Sequence, residues 1–327
     1  MKNSTILKGV QRYFRENLGL LIGFFVLCTI VTILNEKFLT SANIMNVLRQ
    51  LFLNCNLSLG MCLVIIIGGI DLTVGSTMGL CGTLTAGLIA LNGMNLWPAI
   101  AIGLVLGVII GATNGLVISK LNIAPFIVTM ALQMICRGSV FVYTKGLPIR
   151  CVNETFNYLG NGYIGDIPIT IVYTLFFAVV VWFILSRSKL GRHIYATGGN
   201  KMAAQYSGID TTMVNVFVYS ISGLLAAFAG IIYCGRMYSG QPTLGTGDEM
   251  NAIAAVVLGG ASFNGGVGSI GGVLIGVLII AVLSNALNLL GINSFWQQIV
   301  KGVVILLAVC IDILKKRGQI RFGKIIT

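Results

Sequence analysis

LTVGSTMGLCGTLTAGLIALNGMNLWPAIAIGLVLGVIIGATNGLVIS, residues 72–119, is a run of 48 residues without a single charge. A helix rises 1.5 Å per residue and the hydrocarbon core of a bilayer is about 30 Å thick, so some 20 apolar residues make one crossing. The run is long enough for two. Asn92, Gly93, Asn95 and Pro98 interrupt it with turn formers, which predicts two membrane helices joined by a short loop.

The pattern extends through the chain. Further uncharged runs occupy Asn17–Asn35, Gln50–Ile70, Leu121–Cys136, Ile167–Ser186, Thr211–Gly235 and Asn251–Val300, the last with its own Gly-rich break at Asn264–Gly272. With a final span around Trp296–Leu314, the count comes to about ten, and eight is the lower bound. Only 9% of the 327 residues are charged and 56% are hydrophobic, whereas soluble domains carry about 25% charge. The expected fold is an all-α membrane protein, a polytopic helical bundle forming one domain over residues 1–327. After the first run comes Asn35-Glu36-Lys37-Phe38 with no small-residue cleavage site, so that run reads as a retained anchor. Residues Phe38–Gln50 mix polar and apolar positions and suggest an interfacial helix.

A net charge of +12 raises the question of nucleic acid, but its placement points to lipid. Lys2, Lys8, Arg12 and Arg15 precede the first span. Arg187, Lys189, Arg192 and Lys201 sit in the polar stretch in mid-chain, and Lys315, Lys316, Arg317, Arg321 and Lys324 follow the last span. Positive residues mark cytoplasmic ends, so both termini and the 187–210 segment are expected inside, which requires an even number of spans. Residues 1–16 then form a basic amphipathic lead on the cytoplasmic lipid surface, and 315–327 a cytoplasmic tail. Glu154, Asp166, Asp248 and Glu249 fall in segments expected to face outward.

Catalytic machinery is not indicated. The cysteines at 28, 55, 62, 81, 136, 151, 234 and 310 form no CxxC pair, His193 is the single histidine, and no GxxxxGK[ST] phosphate loop is present. No catalytic residue, cofactor or metal is expected, and any ATP-driven step needs another chain. Asp71 is the ionisable residue most committed to membrane depth; Arg137 can snorkel, and Lys301 and Asp312 lie near the ends of the last span. Asp71 reads either as a pathway residue beside the loosened Gly68-Gly69 backbone or as an interfacial N-cap for a helix beginning at Leu72. Asn54, Asn114, Asn285, Asn288 and Gln297 are further candidates for the pathway, because amides match sugar hydroxyls without the desolvation cost of a charge; the competing use is bonding between helices.

Two internal likenesses suggest a duplicated construction, as transporters often have: VIIIGGIDLTVGS (64–76) with VVLGGASFNGGVGS (256–269), and NGLVISKLN (114–122) with NALNLLGIN (285–293). In the 187–210 segment, a Gly198-Gly199 turn precedes a short helix over Lys201–Ser207, with Asn200 as N-cap and Gly208 as its stop. That helix is either a docking element for a partner protein or part of an ordinary basic loop.

GGIDLTVGS, APFIVTM (124–130), GRHIYATGGNKMAAQYSGI (191–209) and DEMNAIAAVVLGGASFNGGVGSIGG (from Asp248) together resemble the permeases of ribose, xylose and galactose type ABC importers, over nearly the whole chain and in the same order. The resemblance implies a type II importer fold working with a cytoplasmic ATPase, an extracytoplasmic solute-binding protein and a second permease subunit, identical or different, in a bacterial plasma (inner) membrane. It implies that 187–210 is the coupling loop, carried by Gly191, Arg192, Gly198, Gly199, Asn200, Met202, Ala203, Ala204 and Gly208. The solute is expected to be a sugar or sugar-like; nucleosides or branched amino acids, or a secondary carrier or channel, are the alternatives. Relatives commonly have Asp at the place of Asn251 and Thr-Ser-Leu at the place of Ala261-Ser262-Phe263, which bears on solute identity.

Overall fold

The computed structural model describes residues 2–304, 306 and 307, with side chains from Leu18 onward. The basic side chains of the 1–16 lead, Cys310, Asp312, the end of the expected Trp296–Leu314 span and the 315–327 tail lie outside the described residues.

Helices account for most of the described chain. They run in the order α1 (Lys2–Leu34), α2 (Ser41–Ile66), α3 (Thr73–Ala90), α4 (Leu96–Leu121) and α5 (Pro125–Thr144). A segment of small elements follows: β1 (Ile149–Arg150), α6 (Glu154–Asn161), β2 (Tyr163–Ile164) and β3 (Ile167–Pro168). The chain continues through α7 (Ile169–Arg187), α8 (Lys189–Gly199), α9 (Lys201–Tyr206), α10 (Thr211–Met237), β4 (Ser239–Gly240), α11 (Asp248–Leu258) and α12 (Ile270–Leu289), and residues 294–304 are again helical. The strands form two antiparallel pairs, β1 with β4 and β2 with β3.

Among the described residues seven helices, α2, α3, α4, α5, α7, α10 and α12, are long and apolar enough to cross a membrane, and α1 adds the apolar stretch Leu18–Leu34. Helices of that length among the described residues do not reach the expected count of about ten. The shortfall has a local cause in the span expected from Asn251: α11 has 11 residues and covers only about 16 Å. Pro242 lacks an N–H, and Gly245 and Gly247 have φ of +77° and +85°, so no helix forms ahead of Asp248. The expected interfacial helix at Phe38–Gln50 is also corrected. From Ser41 onward those residues are the first turns of α2, started by Thr40, whose hydroxyl accepts from the Asn43 amide.

Contacts sort the connections into two ends. Ile66, Asn122, α8, α9 and the 259–269 turn meet at one end, where Gly266 N donates to Ile66 O at 2.8 Å and Lys201 Nζ to Asn122 Oδ1 at 3.4 Å. At the opposite end, Asn35 Nδ2 donates to Leu289 O at 3.1 Å, and β1 and β4 close over α3. α10 lies against α2, α3 and α4 in the middle, whereas α4, α5 and α7 turn wide apolar faces outward, including Trp97, Ile109, Phe176 and Phe183. Lipid tails are as apolar as leucine, so burial alone does not hold such helices together; close packing and hydrogen bonds do. α4 meets α10 through Gly103, Gly107, Gly111 and Gly115, spaced by four. A Cβ at Gly107 or Gly111 would strike the backbone of Gly223 or Tyr219 on α10.

The first internal likeness is visible as geometry. At the end of α2, Gly69 N donates to Val64 O and Gly68 N to Ile65 O; at the end of α11, Ala261 N donates to Val256 O and Gly260 N to Val257 O. Gly68 and Gly260 share φ near +80° (+81° and +86°), the left-handed residue that ends many helices. The second likeness does not follow the same operation: Asn122 lies at the α9 end, while Leu289 lies at the opposite one.

Candidate functional site

The two matching turns converge on the last residues of α8. Gly198 and Gly199 are not a free turn, as expected, but the final residues of that helix. A Cβ on Gly198 would collide with the Ile66 carbonyl, and Gly265 and Gly266 are packed as tightly on Gly198 and Gly199. Tyr195 on α8 adds a hydrogen bond, its hydroxyl donating to Gly268 O at 2.7 Å. Burial pushes that hydroxyl up to about 12, so it stays a donor at physiological pH. One short helix therefore touches both the α2–α3 and the α11–α12 turns.

α9 follows at once. Asn200 Oδ1 accepts from Ala203 N at 3.0 Å and caps the helix as expected, and Gly208, at φ +81°, ends the segment. Ala204 is buried, while Met202, Tyr206 and, on α10, Met213 are exposed by 61%, 85% and 68%. Arg192 is exposed, and Gly191 sits against the carbonyls of Ile184 and Leu185, where no side chain fits. Between this end and the bundle lies a cavity of about 340 Å³, lined by Gly68, Asn122, Thr197, Lys201, Asn215 and Tyr219 among others.

Directly inside the α2–α3 turn is Asp71, fully buried. It is not an interfacial cap. Its Oδ1 accepts from the backbone N of Thr73 at 3.0 Å and from the Thr73 hydroxyl, so it does satisfy the start of α3, which begins at Thr73 and not at Leu72. Its Oδ2 accepts from Ser222 Oγ of α10 at 2.8 Å. Asn114 Nδ2 of α4 donates to Thr73 Oγ1 at 3.0 Å, and the hydroxyls of Thr129 on α5 and Tyr219 on α10 point to Ile70 O at 3.3 and 3.4 Å. Side chains of α4, α5 and α10 thus tie down one irregular turn. Every buried polar group needs such a partner in a medium without water.

Of the six pathway candidates, Asp71 and Asn114 meet through Thr73 beside the α2–α3 turn, and Asn288 and Gln297 meet at the far end. Asn285 and Asn43 exchange amide hydrogen bonds at 2.8 and 3.0 Å, linking α12 to α2. Asn288 Oδ1 accepts from Gln297 Nε2 at 2.8 Å at the same far end, and Asn54 is half-buried on α2. Asn285, Asn288 and Gln297 bridge helices, and the four amides do not form a common lining.

A second polar constellation escaped the sequence reading. Arg137 does not snorkel; its Nη1 donates to Pro242 O at 2.9 Å and Leu244 O at 2.7 Å, inside the bundle. Gln133 Nε2 donates to Glu249 Oε1 at 3.1 Å. Glu249, only 6% exposed, does not face outward, and its Oε2 has no hydrogen-bond partner. The signal was available in Gly75 and Gly79, spaced by one helical turn, since a bare helix stripe invites close approach. Among the described residues no group of three or more His, Cys, Asp or Glu could hold a metal.

A family described as Branched-chain amino acid transport system / permease component matches residues 43–309. The chain is 48% identical to a ribose import permease protein of Bacillus subtilis (strain 168), over 91% of this chain and 92% of the relative. It is 38% identical to a D-allose transport system permease protein of Escherichia coli (strain K12), over 88% and 90%. It is also 34% identical to a galactose/methyl galactoside import permease protein of the same strain, over 94% and 97%. No solved structure matches.

Proposed function

The chain belongs to the family of Branched-chain amino acid transport system / permease components, and from that membership we propose that it is the membrane-spanning subunit of an ABC importer that moves a sugar into the cytoplasm. The named relatives import ribose, D-allose or galactose, and these names favour a monosaccharide over nucleosides or branched amino acids. ATP is hydrolysed on a partner subunit, a soluble binding protein delivers the solute from outside, and a second permease subunit completes the route. The protein sits in the bacterial inner membrane. Arg187, Lys189, Arg192 and Lys201 support a cytoplasmic α8–α9 end, since positive residues favour that side. On that orientation both termini are cytoplasmic, and the chain passes ten times if the turns of residues 241–247 with α11 count as one pass.

The observation that carries the mechanism is the seat of Gly198 between the Ile66 carbonyl and Gly265–Gly266. Closure of the ATPases on nucleotide moves α9, whose Met202 and Tyr206 are free to dock. α8 passes that displacement to both turns together, because no slack separates the backbones. The α2–α3 turn in turn carries Asp71 and its partners, so a shift at the cytoplasmic end reaches α4, α5 and α10. Reconstitution of the permease with its ATPase and binding protein tests this. Uptake of labelled ribose, allose or galactose is expected with ATP and the binding protein. Uphill uptake driven by an ion gradient alone, without the ATPase, would overturn the proposal.

A further inference from the structure

The route from β4 to α11 is unusual for a membrane protein. Ser239 pairs with Arg150 at the end that bears α6, yet Gly245 packs on Gly75, the third residue of α3, near the other end. Residues 242–247 cover the distance as consecutive turns, with Leu244 N donating to Gln241 O and Thr246 N to Thr243 O. Gly240 lies against Thr83 and Gly245 against Gly75, levels about 12 Å apart along α3 at 1.5 Å per residue, over a third of the hydrocarbon core. Backbone of this kind at membrane depth survives only where protein satisfies it or a cavity borders it. Here the segment's own turn bonds are completed by side chains from two helices. Thr83 Oγ1 of α3 donates to Gln241 O at 3.1 Å, and Arg137 of α5 donates to the carbonyls of Pro242 and Leu244.

The fit on the α3 side depends on two bare positions. A Cβ at Gly79 would meet Leu244 O at 2.6 Å, and one at Gly75 would collide with Gly245 O and with Glu249 Oε2. Thr243 and Thr246, on the other side of the strip, are exposed. The strip ends in two left-handed glycines, Gly245 and Gly247, which take up backbone rotation at little steric cost. A segment folded on its own turn bonds and tied to the neighbouring helices by one guanidinium and one hydroxyl, with glycines at its lower end, can leave its seat without breaking a helix. Releasing it costs side-chain rotamers and the bonds of Arg137.

We propose that Arg137 is a positioning residue for transport: it pins the non-helical turns of Gln241–Gly247 against α3, and this strip is a movable wall of the solute route. The claim rests on the permease reading above and adds the part that moves and the residue that governs it. Arg137 has the reach for this, since one guanidinium spans two carbonyls two residues apart and lysine offers only a point donor.

The test uses the complete importer in proteoliposomes, with Thr246→Cys as a reporter for a membrane-impermeant maleimide and the labelling of the parent protein subtracted. With Arg137 present, labelling is expected to change at least about threefold between the nucleotide-free and ATP-trapped states; equal labelling overturns the movable wall. In Arg137→Met the labelling rate is expected to rise roughly tenfold in the nucleotide-free state, as loss of hydrogen bonds to a charged group implies. Sugar moved per ATP hydrolysed should fall, with Arg137→Lys between the two. A purely structural role would lower uptake and hydrolysis together and leave their ratio unchanged, and that result overturns the proposal. If Arg137→Met does not assemble, Arg137→Lys decides by the same ratio. Absence of ATP-driven uptake in the parent importer would instead count against the permease reading itself.

Discussion

Asp71 shows how a single ionisable group is kept deep in a bundle. Three hydrogen bonds from Thr73 and Ser222 surround its two oxygens, and without them desolvation of a carboxylate would be prohibitive. Ser222→Ala removes the only bond that the structure gives to Oδ2, and a buried acceptor left unpaired costs about 1–3 kcal/mol. Thermal unfolding of the detergent-purified protein should show that loss, while Thr113→Ala, on the exposed side of α4 where the hydroxyl bonds only its own turn, should leave the midpoint nearly unchanged. An equal effect of the two would mean that the Asp71–Ser222 bond does not tie α10 to the turn. The amide pair Asn43–Asn285 contributes on a smaller scale. Interhelical polar bonds in membranes average about 0.6 kcal/mol, so Asn285→Ala should lower stability modestly and leave ATP-driven uptake intact.

Elements set the coupling. α9 has six residues and owes its start to Asn200, so Ala203→Pro should remove the helix, because a proline there takes away the amide that Asn200 caps. ATP hydrolysis in the reconstituted importer is expected to continue while sugar uptake falls at least about tenfold, the effect of about 1.4 kcal/mol of lost coupling. Unaltered uptake per ATP would remove α9 from the docking role. The α4–α10 seam makes a different prediction. Gly107→Leu forces a side chain into the Gly223 backbone and should destabilise by about 1–3 kcal/mol, the usual cost of overpacking. Gly138→Leu on α5, where a Cβ meets nothing within 4 Å, should not. Loss of folded yield in the first with a normal second is the outcome the packing requires.

At the scale of the molecule, the bundle joins a rigid middle to two ends of different character. Buried α2, α3 and α10 form the middle, and α4, α5 and α7 face outward with apolar surface. Motion delivered to α8 reaches the turns of α2–α3 and α11–α12 together, because Gly198 touches both. The whole-molecule prediction is that cross-linking α8 to the 259–269 turn, through Thr197→Cys paired with Asn264→Cys, leaves ATP-driven uptake largely intact, because the two already move as one. Loss of transport by the assembled, cross-linked complex would mean that α8 and the turn separate during the cycle.

Spans, basic end and the capped helix after Asn200 were legible in the residue order, because they follow from local rules: uncharged runs of membrane length, lysines and arginines between them, and an asparagine three residues ahead of the amide it caps. Tertiary structure alone decided which polar residues meet. Ser222 reaches Asp71 across 151 positions, Asn285 reaches Asn43 across 242, and Arg137 turns inward to carbonyls more than 100 positions away. In a lipid solvent each polar group must find a partner inside the protein, and helix packing, which no local pattern encodes, chooses it.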